Sequence, residues 1–143
     1  DDYFIIHLMK PARMPEVKIT LKASCLMCEN EPRFVLHGTE GSYVKYGLDP
    51  QEADLTKGLL PDAPHWGEED ESQWGILHTE KDGNVVRKPY PTLPGNYAAF
   101  YENIYQHIRN GEVLQSDACE VLGVIRLIEA AWESSRTGNV RKL

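Results

Sequence analysis

The sequence has no long apolar run. Its hydrophobic residues make up 41% of 143 and are broken up throughout by charged and turn-forming residues. A membrane-crossing helix needs about 18 or more consecutive apolar residues, so none is expected. No basic segment followed by an apolar stretch opens the chain. Positive charge is also short. Lys and Arg number 15 against 22 Asp and Glu, for a net charge of −7. Binding a phosphate backbone calls for the opposite balance, so nucleic acid is an unfavoured partner. Cysteine is scarce and odd in number. Cys25, Cys28 and Cys119 cannot form a disulfide framework and point to a reducing compartment, hence a cytoplasmic protein. Cys25-Leu26-Met27-Cys28 leaves only Cys119 to complete a metal site, and it ends a strand pattern instead of opening a helix as a redox motif would. These thiols are expected to be structural and at least half-buried.

Catalytic signatures are missing too. There is no G-x-G-x-x-G, no phosphate-binding loop, no G-x-S-x-G and no H-E-x-x-H. None of His7, His37, His65, His78 and His107 lies three or four residues from another, so no helical metal pair is preset. No cofactor or metal site is expected within the chain. The acid run Glu68-Glu69-Asp70-Glu71 reads as a solvated loop. Asp1, not Met, is the first residue, and a strand pattern begins at once, which suggests a fragment of a longer protein.

What is present is one ordinary domain's worth of patterned sequence. A chain of this length buries roughly 68% of its unfolded surface. Residues 3–9 are apolar on both alternating faces, the pattern of a strand covered on both sides. A two-proline turn follows at Lys10–Pro15. Val17, Ile19, Leu21, Ala23, Cys25 and Met27 then alternate with polar residues as a half-buried strand. Residues 33–37 and 42–46 flank Gly38-Thr39-Glu40-Gly41, and residues 73–78 and 84–88 flank Glu80-Lys81-Asp82-Gly83; both pairs read as hairpins. Asp49-Pro50-Gln51-Glu52 is a helix start with a capping box, closed two turns later at Lys57-Gly58. Residues 59–72 read as an irregular loop. Two longer helices are predicted over 96–110 and 117–137, ended by Gly111 and Gly138, with a last short strand over 139–143.

Hairpins and late helices make an α+β fold: an open, mainly antiparallel sheet of about six strands with the two long helices packed on one face. The expected core is Ile5, Ile19, Leu21, Val35, Ile76, Phe100, Ile104, Val121, Ile125 and Ile128. The other sheet face has nothing left to cover it and is a candidate interface, so a homo-oligomer is expected. Four residues stand out as candidate contacts. His65 and Trp66 share a loop, Tyr97 opens a helix after Pro94-Gly95, and Arg33 opens a strand.

The blocks Pro32–Ser42, Tyr46-Gly47-Leu48-Asp49-Pro50-Gln51-Glu52 and Gly95-Asn96-Tyr97-Ala98-Ala99-Phe100-Tyr101, together with the closing helix through Ala130-Ala131-Trp132-Glu133-Ser134-Ser135, resemble the C-terminal domain of the Gfo/Idh/MocA oxidoreductases. The resemblance covers nearly the whole chain. It implies the C-terminal domain of glyceraldehyde-3-phosphate dehydrogenase-like architecture, here residues 1–143. This domain shapes a sugar or polyol pocket and makes a dimer interface, while a separate Rossmann domain holds NAD or NADP. The family's Glu-Lys-Pro lysine and its Asp and His on a preceding helix have no counterpart here, so the chain alone is expected to be inactive. The resemblance also implies a pocket facing the nucleotide domain, for which Arg33, His65, Trp66 and Tyr97 are the candidates by position. The competing reading is a non-enzymatic module that self-associates through its open sheet face.

Overall fold

The computed structural model describes residues 2–9 and 16–142. The expected proline turn at 10–15 and the end of the last strand, Leu143, lie outside them. Strands β1 (Tyr3–Met9) and β2 (Lys18–Ser24) pair antiparallel, from Tyr3 opposite Ser24 to Met9 opposite Lys18. Strands β3 (Phe34–His37), β4 (Gly41–Lys45), β5 (Gly75–Lys81) and β6 (Asn84–Tyr90) form a second antiparallel sheet in that order. Helices are α1 (Gln51–Thr56), α2 (Ala98–Asn110) and α3 (Ala118–Thr137). The α+β class and the six antiparallel strands agree with the sequence. The strands are divided, however, between sheets of two and four. Residues 25–33 carry no tight hairpin turn to pair β2 with β3 and form bends instead.

The chain separates into two compact units. One joins the residues up to Glu29 with those from Gln115 on; the other is Asn30–Leu114. In the first, Asp117 caps α3 by accepting from the amides of Cys119 and Glu120, each at 2.9 Å. Gly138 ends the helix in the left-handed conformation. Beyond it residues 139–142 form no strand, contrary to expectation. In the second unit Asp82 and Gly83, both at positive φ, connect β5 and β6 in a two-residue turn whose twist matches the strands. The register puts Phe34, Leu36, Tyr43, Leu77, Val86 and Tyr90 on one face of the four-stranded sheet. A Cβ at Gly75 would collide with the Tyr43 ring, so that ring lies across the glycine.

The expected core is not buried. Among the described residues no hydrophobic side chain is fully covered. Ile5, Leu21, Val35, Phe100, Val121, Ile125 and Ile128 are all exposed, and Ile19, Ile76 and Ile104 are half-buried. Strand β1, read as covered on both sides, leaves Tyr3, Phe4, Ile5 and Met9 open. Alternation and helical spacing fix which side an apolar residue faces; they do not supply the second layer that would cover it. Cys25, Cys28 and Cys119 are free and exposed, not half-buried. No helix of the described residues is long and apolar enough to cross a membrane.

Candidate functional site

Among the described residues the one side chain with no accessible surface is polar: Gln51, the first residue of α1. Its position follows from Asp49. One Asp49 carboxylate oxygen, Oδ1, accepts from the Gln51 backbone N–H and from Gln51 Nε2, each at 2.9 Å. The cap position is Pro50 and no side chain fills it, so the expected capping box of Asp49 and Glu52 is not formed; Asp49 instead takes the Gln51 amide from one residue earlier and fixes which way the Gln51 side-chain amide faces. The opposite atom, Gln51 Oε1, accepts from the Trp66 indole N–H and from the Tyr97 backbone N–H, each at 2.8 Å. A buried amide left without partners would cost several kcal/mol on apolar-transfer scales. Here both its ends are satisfied.

Two glycines allow this approach. Gly95 donates its backbone N–H to Gly67 O at 3.1 Å. A Cβ on Gly95 would collide with Asp49 and Gln51, and one on Gly67 would collide with Gly95. Three loops are thereby drawn together: 47–51, 65–67 and 95–97.

A second anchor holds the loop before β5. The Lys45 ammonium donates to both Glu69 carboxylate oxygens, at 2.8 and 2.7 Å, and to Gln73 O at 2.9 Å. The two side chains are only 10% and 5% exposed. The acid run is therefore not a plain solvated stretch. Glu69 is a buried ion-pair partner, Glu68 pairs with His65, and Asp70 accepts from Ser72 N at 2.9 Å. Its bonds to the side chain and backbone of Ser72 hold the Asp70 carboxyl below the usual carboxylate range.

Of the four candidates, two meet at one atom, Trp66 and Tyr97, and His65 is near them only as the chain neighbour of Trp66. Trp66 is half-buried with its indole N–H turned inward. Tyr97 has its backbone on Gln51 and its side chain 42% exposed, with no hydrogen bond to its hydroxyl among the described residues. His65 precedes Trp66 at φ 62, a conformation uncommon outside glycine. Its Nδ1 lies 2.8 Å from Glu68 Oε2 and its side chain is 82% exposed. Arg33 stands apart. Its guanidinium lies over the ring of Phe34, 5.9 Å from the centroid, and no hydrogen bond among the described residues links it to the other three.

Sequence reading missed Gln51, Lys45 and Glu69. A glutamine in the first turn of a helix looks like surface, and nothing in its neighbours says it turns inward. The available signal was that two of the blocks carrying the family resemblance, 46–52 and 95–101, are the ones that meet at its amide.

The described residues are not fitted to hold a dinucleotide. That fold places a pyrophosphate at the free N-terminus of a helix in a parallel βαβ unit. All pairing here is antiparallel. The opening of α1 is taken by Asp49, that of α2 by Gln51 and Asn96, and that of α3 by Asp117. Among the described residues no three His, Cys, Asp or Glu side chains stand together as a metal site.

The family model for the oxidoreductase family C-terminal alpha/beta domain matches residues 1–143. The chain is 35% identical over 121 residues to scyllo-inositol 2-dehydrogenase (NADP(+)) IolW of Bacillus subtilis, covering 85% of this chain and 34% of that protein. It is 34% identical over 152 residues to the fission-yeast oxidoreductase C115.03, covering 97% of this chain and 40% of the relative. A crystal structure described as an oxidoreductase from Bacteroides fragilis superposes with a TM-score of 0.93 at 57% identity, over 100% of this chain and 42% of that one. The chain therefore spans well under half the length of the relatives it matches. With the fold, the whole-chain match and these identities in agreement, it belongs to the C-terminal domain family of the Gfo/Idh/MocA oxidoreductases.

Proposed function

We propose that this chain is the C-terminal substrate-binding and oligomerisation domain of a two-domain, cytoplasmic oxidoreductase that uses NAD or NADP on a sugar, polyol or related carbinol. The observation that carries the reading is the convergence of Trp66 and Tyr97 on one buried amide oxygen. It ties the Trp66 side chain and the start of the helix that carries Tyr97 to one point, and an indole and a phenol together are a combination suited to a polyol. The Trp66 ring covers the apolar C–H face of the substrate, and the Tyr97 hydroxyl donates to one of its oxygens. His65 offers Nε2 at the rim, since Nδ1 is engaged by Glu68. Arg33, remote from the other three in bonding, supplies a further donor.

The nucleotide belongs outside these residues, which hold no cradle for it. The similarity to an NADP-dependent inositol dehydrogenase supports both the polyol and the cofactor class. Self-association uses the sheet face of Phe34, Leu36, Tyr43, Leu77 and Tyr90, on which Phe34, Leu36 and Tyr90 are exposed and Tyr43 and Leu77 half-buried. The same exposure is what a non-enzymatic self-associating module would show, so turnover has to decide between them.

The test is reduction of NAD or NADP by the full-length protein with scyllo-inositol, myo-inositol and aldoses. Turnover of a polyol or sugar, lowered by Trp66→Ala and by Tyr97→Phe, is the expected result. No turnover with any of them, or full activity in both variants, overturns the assignment.

A further inference from the structure

We infer that Gln51 is a positioning residue for substrate turnover, holding the Trp66 ring and the start of α2 in one fixed relation through its amide oxygen. The inference rests on the reading of Trp66 and Tyr97 as the substrate wall.

Neither group is fixed by its own element. Trp66 lies in an irregular loop. The Tyr97 N–H is one of the first amides of α2, which have no acceptor within the helix. Both take the same atom as their reference, Gln51 Oε1, at 2.8 Å each. The amide cannot turn over without loss, because Nε2 is committed to Asp49 Oδ1 at 2.9 Å. The side chain has no accessible surface, so no water competes for these bonds. If residue 51 only filled space, an apolar side chain would serve and no polar group would need burying. The glycines at 67 and 95 have the same effect, since a side chain at either would push the loops off the amide. Gln51 itself is sealed from any substrate, so it acts through the two groups it holds. A displacement of about 1 Å in such groups is enough to cost on the order of a hundredfold in rate.

The test uses the full-length protein, with scyllo-inositol as the first polyol probe and NADP+ and NAD+ as oxidants. Gln51→Met keeps the length of the side chain and removes the acceptor. It is expected to lower kcat/KM for the polyol about tenfold or more, while nucleotide affinity stays within about twofold of wild type. Gln51→Glu combined with Asp49→Asn returns an acceptor oxygen to Trp66 and Tyr97 without setting two carboxylates together. It is expected to recover kcat/KM to within about threefold of wild type. A merely structural role predicts no such rescue. Wild-type kcat/KM in Gln51→Met overturns the inference. So does a double variant about tenfold or more impaired at normal nucleotide affinity. Should Gln51→Met fail to fold, the double variant decides alone on the same criterion. Trp66→Ala and Tyr97→Phe separate the two levels. If they lose activity and Gln51→Met does not, the inference alone fails; if they keep full activity, the substrate wall itself is wrong, and the inference falls with it.

Discussion

Lys45 and Glu69, 24 positions apart, form an ion pair at 2.7 Å with both side chains nearly sealed from water. The third contact of the ammonium, to Gln73 O, leaves it fully engaged. Removing one partner strands the other charge in a poorly hydrated place. Lys45→Met or Glu69→Leu alone is expected to cost about 3–5 kcal/mol, and the double replacement much less than the sum. Urea midpoints of the three variants check this, and additivity of the two single losses would contradict it.

Arg136 and Glu133 give the contrast. They meet at 2.8 Å on α3 with side chains 70% and 41% exposed. Arg136→Ala is expected to change stability by no more than about 1 kcal/mol, and less as salt rises. Thermal melts at low and high salt measure it.

Gly95 and Gly58 separate collision from conformation. Gly58 has φ +84 and open space around it, so Gly58→Ala is expected to cost about 1–2 kcal/mol for the left-handed backbone alone. Gly95→Ala drives a methyl into Asp49 and Gln51 and is expected to cost more, about 2–4 kcal/mol, with polyol turnover lost. Equal melting temperatures for the two variants would show that the Gly95 contact is softer than the structure has it.

Asp70 yields a pH expectation. Its bonds to Ser72 hold its carboxyl below the ordinary value of 3.8. A lowered folded-state pKa favours the folded state above the ordinary value, and that contribution is lost as pH falls through the lower one. Carbon-detected NMR titration should find Asp70 with a midpoint below that of an unstructured aspartate. A midpoint at or above it would mean the turn at Glu71–Gln73 is not capped by a carboxylate.

The uncovered sheet face carries an assembly prediction. Phe34, Leu36 and Tyr90 are each more than half exposed. A stable dimer burying about 1,200–2,000 Å² in total is expected there, and Leu36→Lys with Tyr90→Lys should shift sedimentation toward monomer. A monomer in the wild type at tens of micromolar would remove the oligomerisation half of the proposed function.

Elements were legible in the sequence wherever the signal is local. The helix ends at Gly111 and Gly138 and a hairpin turn within Glu80–Gly83 each depend on a few adjacent residues, and each was readable. The core was not. Val121 and Ile128 have the right spacing but lie exposed, because periodicity names a face and not its cover. The site was legible in part. His65, Trp66 and Tyr97 stood out as loop and helix-start residues, whereas Gln51 owes its role to partners 15 and 46 positions away. Its own neighbourhood records neither. Glu69 was hidden for the same reason, since Lys45 is what distinguishes it from the acids on either side.

That same separation sets an order of events during folding. The β5–β6 hairpin closes across two residues, within reach of microsecond formation. The Gln51 amide can be satisfied only after the four-stranded sheet has returned residues 95–97 to residues 47–51, so it closes a long loop after the short ones. The proposed substrate wall should therefore be among the last parts to gain amide protection during refolding and among the first to lose it. Pulse-labelled hydrogen exchange should show Leu77 protected before Tyr97. A synthesis error or proteolytic nick that slows this closure would leave a chain with native sheet content but without the junction of Trp66, Gln51 and Tyr97.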